Sequence, residues 1–307
     1  MHLQILNLDD SLTWQDSLSA AAPWDSVSTV DLRDLGPRLR LWSRERTMRA
    51  ARQRIAAARP EGETLSLIGS GDFHHLAGLL IEHAQDPVTV VHIDNHPDWV
   101  RLAPKWHCGS WVNQALRLPQ VRRVVTVGPC SDDLVKPGLK GGNLPALATG
   151  RIVLFPWQHA PSRVLHRMPD GPGHRYENGF LVWRNLADMA PTDAADAIIR
   201  RIETGSIWLS IDKDVLRDEE AVTNWDQGQM PLRAMLELIR ALGANKRIVG
   251  ADICGEYAMP AHRNPLKRWE ARMDQPRRNP PDNHMLTRNE TTNRELLATI
   301  EQAARAC

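Results

Sequence analysis

Charge imbalance is nearly absent from this sequence: 38 Lys and Arg stand against 37 Asp and Glu, a formal net charge of +1. No global field therefore steers the chain toward nucleic acid or an anionic membrane surface. No apolar run approaches the ~18 residues that span a bilayer, and Met1 to Asn7 contain no basic stretch followed by an apolar one. A transmembrane segment and a secretory signal are not expected. Cysteine is sparse, with Cys108, Cys130, Cys254 and Cys307 scattered and no Cys-x-x-Cys pair. These read as reduced thiols of a cytoplasmic protein. Internal repeats and a glycine-rich phosphate loop are also missing. Phe and Tyr number only 3 and 2, against 11 Trp, which read as large core anchors.

What remains is ordinary globular composition, 42% hydrophobic and 24% charged over 307 residues, enough for a sizeable core. Short β-branched runs recur at 64–68, 88–93, 121–127, 151–155, 180–183, 207–211 and 247–250. Several are apolar on both faces, as buried parallel strands are. Amphipathic stretches at 44–58, 192–203 and 231–242 lie between them, with Thr192, Asp193 and Asp196 offering a capped start to the second. This alternation predicts an α/β domain with a mostly parallel sheet. Two stretches read as irregular: 136–149, rich in Gly and Pro, and a long polar loop at about 260–293. A final helix is expected over 294–306.

The strongest local signal is His92-Ile-Asp94-Asn-His96-Pro-Asp98-Trp99, directly after an apolar strand. Ligands of open α/β sheets bind beyond the carboxyl ends of the strands. Asp94, His96 and Asp98 at alternate positions there can converge on a metal. A second acidic pair, Asp212 and Asp214, follows the strand at 207–211. Carboxylates so placed repel unless a cation sits between them. Three further strand ends carry candidates: His74 or His75 after Gly69-Ser-Gly71-Asp72-Phe73, His107 in Trp106-His107-Cys108-Gly109, and Glu256 in Asp252-Ile-Cys-Gly-Glu256.

Asp94-x-His96-x-Asp98 and Ser210-x-Asp212-x-Asp214 resemble the two signature metal motifs of the ureohydrolase family, which includes arginase and agmatinase. His74-His75-Leu76-Ala77 is similar to the family's ligand-His segment, with His74 in the ligand position. His107-x-Gly109, Gly228-Gln-Met-Pro-Leu-Arg233 and Asp252 to Glu256 are similar to three more of its segments, in family order. The sequence departs from the pattern at Gly71-Asp72-Phe73, where the family has Gly-Gly-Asp. The family's acidic motif continues to Asp-Pro, whereas Asp214 here is followed by Val-Leu-Arg-Asp218-Glu219, out of register and without Pro, and the glutamate segment is one residue longer.

The resemblance implies a single three-layer αβα domain over 1–307. It implies two Mn²⁺ per chain, with Ni²⁺ or Zn²⁺ as alternatives: one held by His74, Asp94, Asp98 and Asp212, the other by Asp94, His96, Asp212 and Asp214. Such a pair activates water for attack on a small cationic guanidino or amidine substrate, releasing an amine and urea or a urea-like product. Asp98 or Asp94 is then the proton acceptor, His107 the proton shuttle and Glu256 the partner of the cationic amidine. A homo-oligomer without nucleic-acid or membrane partners is expected. A deacetylase-like amide hydrolase with one Zn²⁺ and a non-catalytic binding relative of the same fold are the competing expectations.

Overall fold

A computed structural model describes every residue except 16, 260, 261, 263, 278 and 307. Cys307 and parts of the 260–293 loop therefore lie outside the described residues. The frame is an eight-stranded sheet built from β1 (His2–Asn7), β2 (Val27–Asp31), β3 (Thr64–Gly69), β4 (Val88–Ile93), β5 (Val121–Val127), β6 (Ile152–Phe155), β7 (Ser206–Asp212) and β8 (Arg247–Cys254). Their order is β2-β1-β3-β8-β7-β4-β5-β6, and every pairing is parallel.

The central strands β3, β4 and β7 are buried along their whole length, because both faces are covered. Val91, Ile93, Leu209 and Ile211 face one apolar layer, completed by helices α2 (Pro191–Ile199), α3 (Leu232–Gly243) and α5 (Asn283–Ala304). Val88, Val90, Ile68 and Trp208 face the other, where helix α1 (Glu45–Ala57) and the short helices Ala77–Ile81 and Trp111–Ala115 pack. The result is a three-layer αβα fold. No helix among the described residues is long and apolar enough to cross a membrane.

Register decides where the chemistry sits. Ile93 pairs with Ile211, Asp212 with Cys254, and Cys254 with Gly69, so the carboxyl ends of four adjacent strands finish level. The loops leaving them meet over one rim of the sheet.

Four expectations need correction. Phe180–Trp183 is a strand, but it joins an antiparallel sheet with His174–Glu177 and Ser162–Arg163. Asn178 and Gly179, at φ 48° and 89°, make the two-residue hairpin turn that diverts it. Thr192 caps nothing: α2 starts at Pro191, whose missing N–H costs a first helical position nothing. The stretch 260–293 is not one loop, since helix α4 (Pro265–Asp274) and the first residues of α5 occupy much of it. Pro265, a breaker in a sequence reading, again opens the helix. Within 136–149, Leu144–Ala148 is likewise helical.

Arg40 ties the rim together. Its guanidinium pairs with Asp9 beyond β1 and, at 2.7 Å, with Asp72 beyond β3, and it stacks 4.7 Å over the Phe73 ring. Arg40→Met leaves Asp72 charged and buried without its main partner. We expect a loss of ~3–5 kcal/mol in urea-denaturation stability; a change within ~0.5 kcal/mol would show that the triad contributes little.

Candidate metal centre

Asp94 begins the turn after β4, and its N–H still bonds to Val127 O of β5 at 3.1 Å. Its carboxylate accepts His92 Nε2–H at 2.8 Å and the His96 backbone N–H at 2.6 Å. Pro97 and Asp98 then turn the chain back, with Asp98 at φ 45°, a left-handed conformation uncommon outside glycine. Trp111 Nε1–H donates to Asp98 Oδ2 at 2.7 Å and Val112 N–H to Asp98 O at 3.2 Å, which hold that turn.

The end of β7 supplies Asp212 and Asp214. The Asp214 N–H donates to Asp212 Oδ1 at 3.0 Å, and the Asn95 N–H to Asp214 Oδ1 at 3.1 Å, locking the two acidic loops together. Gly71 and Gly255 press on Asp212 from opposite sides. A Cβ on Gly71 would lie 2.7 Å from Asp212 Oδ2, and one on Gly255 2.5 Å from Oδ1.

His74 carries the clearest ligand geometry. Ser210 donates its hydroxyl to Asp252 at 2.8 Å, so it receives Nε2–H from His74 at 3.0 Å. That relay fixes the tautomer and leaves Nδ1 with a lone pair. Nδ1 is buried, makes no hydrogen bond, and lies 3.1, 3.2 and 3.7 Å from carboxylate oxygens of Asp94, Asp98 and Asp212. A lone pair facing three carboxylates is repulsive unless a cation or proton intervenes. His75 is buried with both ring nitrogens unpartnered and stands outside this cluster.

Two donor sets share Asp94. One comprises His74, His92, Asp94 and Asp98, the other Asp94, His96 and Asp214, and within each the ligand atoms lie within 4.8 Å of one another. A third set, His74, Asp212 and Cys254, overlaps the first. The residues present thus fit metal ions: oxygen-rich, with imidazole, and buried. The structure brings together all six residues expected as ligands.

It also adds residues that sequence reasoning passed over. His92 was visible in principle, since it extends the alternation of 94, 96 and 98 by one step. Cys254, two positions beyond Asp252, donates to Asp212 Oδ2 at 3.1 Å. Asp226 had no local signal; it meets His96 Nε2 at 2.8 Å while Asp214 meets Nδ1 at 2.9 Å.

His107 reaches the site through an antiparallel ladder in which Trp42 pairs with His107. It lines the cavity above the rim, about 580 Å³, together with His74, Asp94, His96, Asp98, Asp212 and Asp214. Its Nδ1 accepts the Gly109 N–H at 2.9 Å, and its Nε2–H donates to Glu270 of α4. Glu270 also accepts Trp42 Nε1–H at 2.9 Å. Glu256 is placed differently from expectation. Its carboxylate binds Lys213 Nζ, Gln15 Nε2 at 3.0 Å and Asn293 Nδ2 at 2.6 Å, outside the cavity. Lys213 is the residue between Asp212 and Asp214, so it turns away from them and needs a counter-charge of its own.

Burial raises the carboxyl groups of Asp98, Asp212 and Asp214, and neighbouring aspartates raise them further. Burial acts on Asp94 too, but His92 and the neighbouring His74 and His96 outweigh it and hold Asp94 well below its ordinary value. Against burial, Asp214 and Asp226 hold His96 well above its ordinary value.

No protein-family model matches the sequence. An uncharacterized protein of Thermotoga maritima is 26% identical over 206 residues, which are 67% of this chain and 61% of that relative. The chain therefore spans less than two thirds of the curated relative it matches. Among solved structures, arginase from Entamoeba histolytica in complex with L-ornithine superposes with TM-score 0.61 at 13% identity, covering 97% of each chain. Proclavaminate amidino hydrolase from Streptomyces clavuligerus gives 0.58 at 15%, covering all of this chain and 92% of its own. The agmatine ureohydrolase of Thermoplasma volcanium gives 0.57 at 12%, covering 99% and 90%. The fold is thus the one these amidino hydrolases share.

Raised carboxyl and imidazole values mean that Asp98, Asp212, Asp214 and His96 bind their protons more tightly in the metal-free fold than in the unfolded chain. Their stabilisation is present below the unfolded values, near 4 and 6.5, and is lost as pH rises through the folded ones. A divalent ion replaces those protons. We expect the gain in Tm on adding Mn²⁺ to EDTA-treated protein to grow steadily from pH 5 to pH 8, read by thermal shift; a gain that shrinks with pH would contradict the donor set.

Proposed function

We propose that this chain is a divergent ureohydrolase, a binuclear-metal enzyme that hydrolyses a C–N bond of a small guanidino or amidine compound. The observation that carries the proposal is the pair of buried donor sets sharing Asp94 on a fold common to amidino hydrolases. His74, Asp94, Asp98 and Asp212 would hold one ion and Asp94, His96, Asp212 and Asp214 the other, with Mn²⁺ suited to so oxygen-rich a set. When bound, the ions would supply Lewis acidity, which makes water more acidic and so a stronger nucleophile toward a resonance-stabilised amidine carbon.

The chain's own groups would do the rest. Water adds to the amidine carbon, the bond to the departing nitrogen breaks, and one proton of the water ends on that nitrogen. Asp98 stands ready to accept it. His107, on the cavity wall, would deliver it to the leaving amine, with Glu270 fixing the ring and stabilising the imidazolium that forms in transit. Asp132, Asp133, Asp226 and Asp274 outnumber Lys140 and Arg272 in the cavity lining, which favours a cationic substrate. They take over the cation-binding role first given to Glu256, whose carboxylate Lys213 occupies.

A urea-release screen of the Mn²⁺-loaded protein against guanidino compounds with amine, carboxylate or neutral tails tests this directly. Urea should appear with at least one compound and fall to background in Asp94→Asn, which loses the shared ligand. No urea from any compound, with two ions bound per chain, would overturn the proposal.

His107→Asn should keep both metals and lower kcat by ~10²–10⁴-fold, with partial rescue by imidazole. Glu270→Gln, which keeps the hydrogen bond but removes its charge, should shift the alkaline or acidic limb of the kcat–pH profile. An unaltered rate in His107→Asn would make His107 structural.

A further inference from the structure

A second cavity, about 650 Å³, opens beside α1 and α4 and carries no part in the chemistry above. Its lining includes Arg33, Arg38, Arg44, Arg46 and Lys267, with Asp34 as its acidic member. Two of these charges cancel elsewhere. Arg54 clamps Asp34 through two hydrogen bonds of 2.5 and 2.9 Å, and Arg33 forks onto Asp31 at 2.9 and 2.7 Å. Arg44 and Arg46 have no acidic partner among the described residues, and the Arg38 guanidinium touches only the Asp34 backbone carbonyl, at 3.4 Å. Four positive charges thus line one cavity of a protein whose formal net charge is +1.

Lys267 is the unusual member. The residue is only 3% exposed, and Trp42 covers it, with the ammonium 4.6 Å above the indole ring. Of its three N–H groups one is used, donating to Arg38 O at 2.9 Å. A buried lysine is expensive to keep charged, and burial pulls this one down to about 8. Helix α1 adds to the field: it starts here, at Arg44 and Glu45, and has no side-chain cap.

The geometry points to a binding site for a small soluble multivalent anion of the phosphate class, gripped by Arg38, Arg44, Arg46 and Lys267. Guanidinium forks suit phosphate oxygens, and the cavity is the size of a small-molecule pocket. The site is distinct from the metal centre but shares a wall with it. Lys267 and Glu270 are three residues apart on α4, and Trp42, beneath Lys267, donates to the Glu270 carboxylate that holds His107. Occupancy is thus sensed one side chain away from the proposed proton shuttle.

Isothermal titration of phosphate, pyrophosphate and tripolyphosphate into metal-loaded and EDTA-treated protein tests the assignment without recourse to activity. We expect one site per chain, affinity that climbs with anion charge, and retention of binding after EDTA. Arg44→Ala/Arg46→Ala alters only exposed side chains, so Tm and metal content should hold while pyrophosphate affinity falls at least tenfold. Lys267→Met is the second variant, and with Tm within a few degrees it should weaken binding similarly. Undiminished affinity in the double variant, or binding that disappears with EDTA in the wild type, would overturn the site and assign the anion to the metal centre instead.

Discussion

Mutual repulsion among buried carboxylates is the constraint around which the rest of the molecule is arranged. Asp94, Asp98, Asp212 and Asp214 are each at most 6% exposed, and Asp94 has ligand oxygens within 4.8 Å of those of Asp98 and Asp214. At an effective dielectric of about 20, like unit charges at that range repel by roughly 3–4 kcal/mol per pair. A typical domain has only ~5–15 kcal/mol of net stability, so the full set cannot be ionised together without positive charge among it. Tighter proton binding eases that need in the metal-free protein, and divalent ions would meet it better. The level finish of β3, β8, β7 and β4 makes the arrangement possible, and Arg40 and Lys213, both buried, neutralise the acids just behind the rim.

Much of this was legible in the sequence, for physical reasons that also explain the failures. Strands β3, β4 and β7 announce themselves because covering both faces demands unbroken apolar runs. Ligands at 94, 96 and 98 and at 212 and 214 follow from the two-residue alternation at strand ends. Strands β1 and β2 lie at one side of the sheet, where β2 is largely exposed at Val27, Thr29 and Asp31, and the buried Gln4 of β1 dilutes its apolar signal. Asn178-Gly179 does carry a hairpin signal, but an apolar run at Phe180 outweighs it when strands are counted singly. Helix α4 is hidden by its opening proline and its arginines, although Pro at a first helical position is no obstacle.

Side-chain direction was the harder matter. Glu256 follows a strand end as expected, yet its orientation is decided by Lys213, a residue far off in sequence and near in space. Glu270 shows the reverse: nothing in its local sequence marks it, and only the ladder from Trp42 to His107 carries the histidine to it. Spacing finds residues on one rim, but which neighbour claims each charge is settled by tertiary packing.

The departures from the ureohydrolase pattern fall in the same class, and their surroundings show how they are accommodated. Phe73 is fully buried and offers its ring face to Arg40, so it supports the cation that neutralises Asp72. Val215, which follows Asp214 in a stretch that lacks the family's Asp-Pro, is enclosed by two glycines: a Cβ on Gly128 would come 2.3 Å from its Cγ2, and one on Gly228 2.4 Å from its carbonyl oxygen. Asp218, beyond it, is drawn outward to Arg277 at 2.5 Å, away from the donor sets. Each change alters what packs behind the acidic loops while Asp212 and Asp214 keep their mutual hydrogen bond. The differences from that pattern thus lie among the supports, while the donor atoms of Asp94, His96, Asp98, Asp212 and Asp214 still converge on one rim.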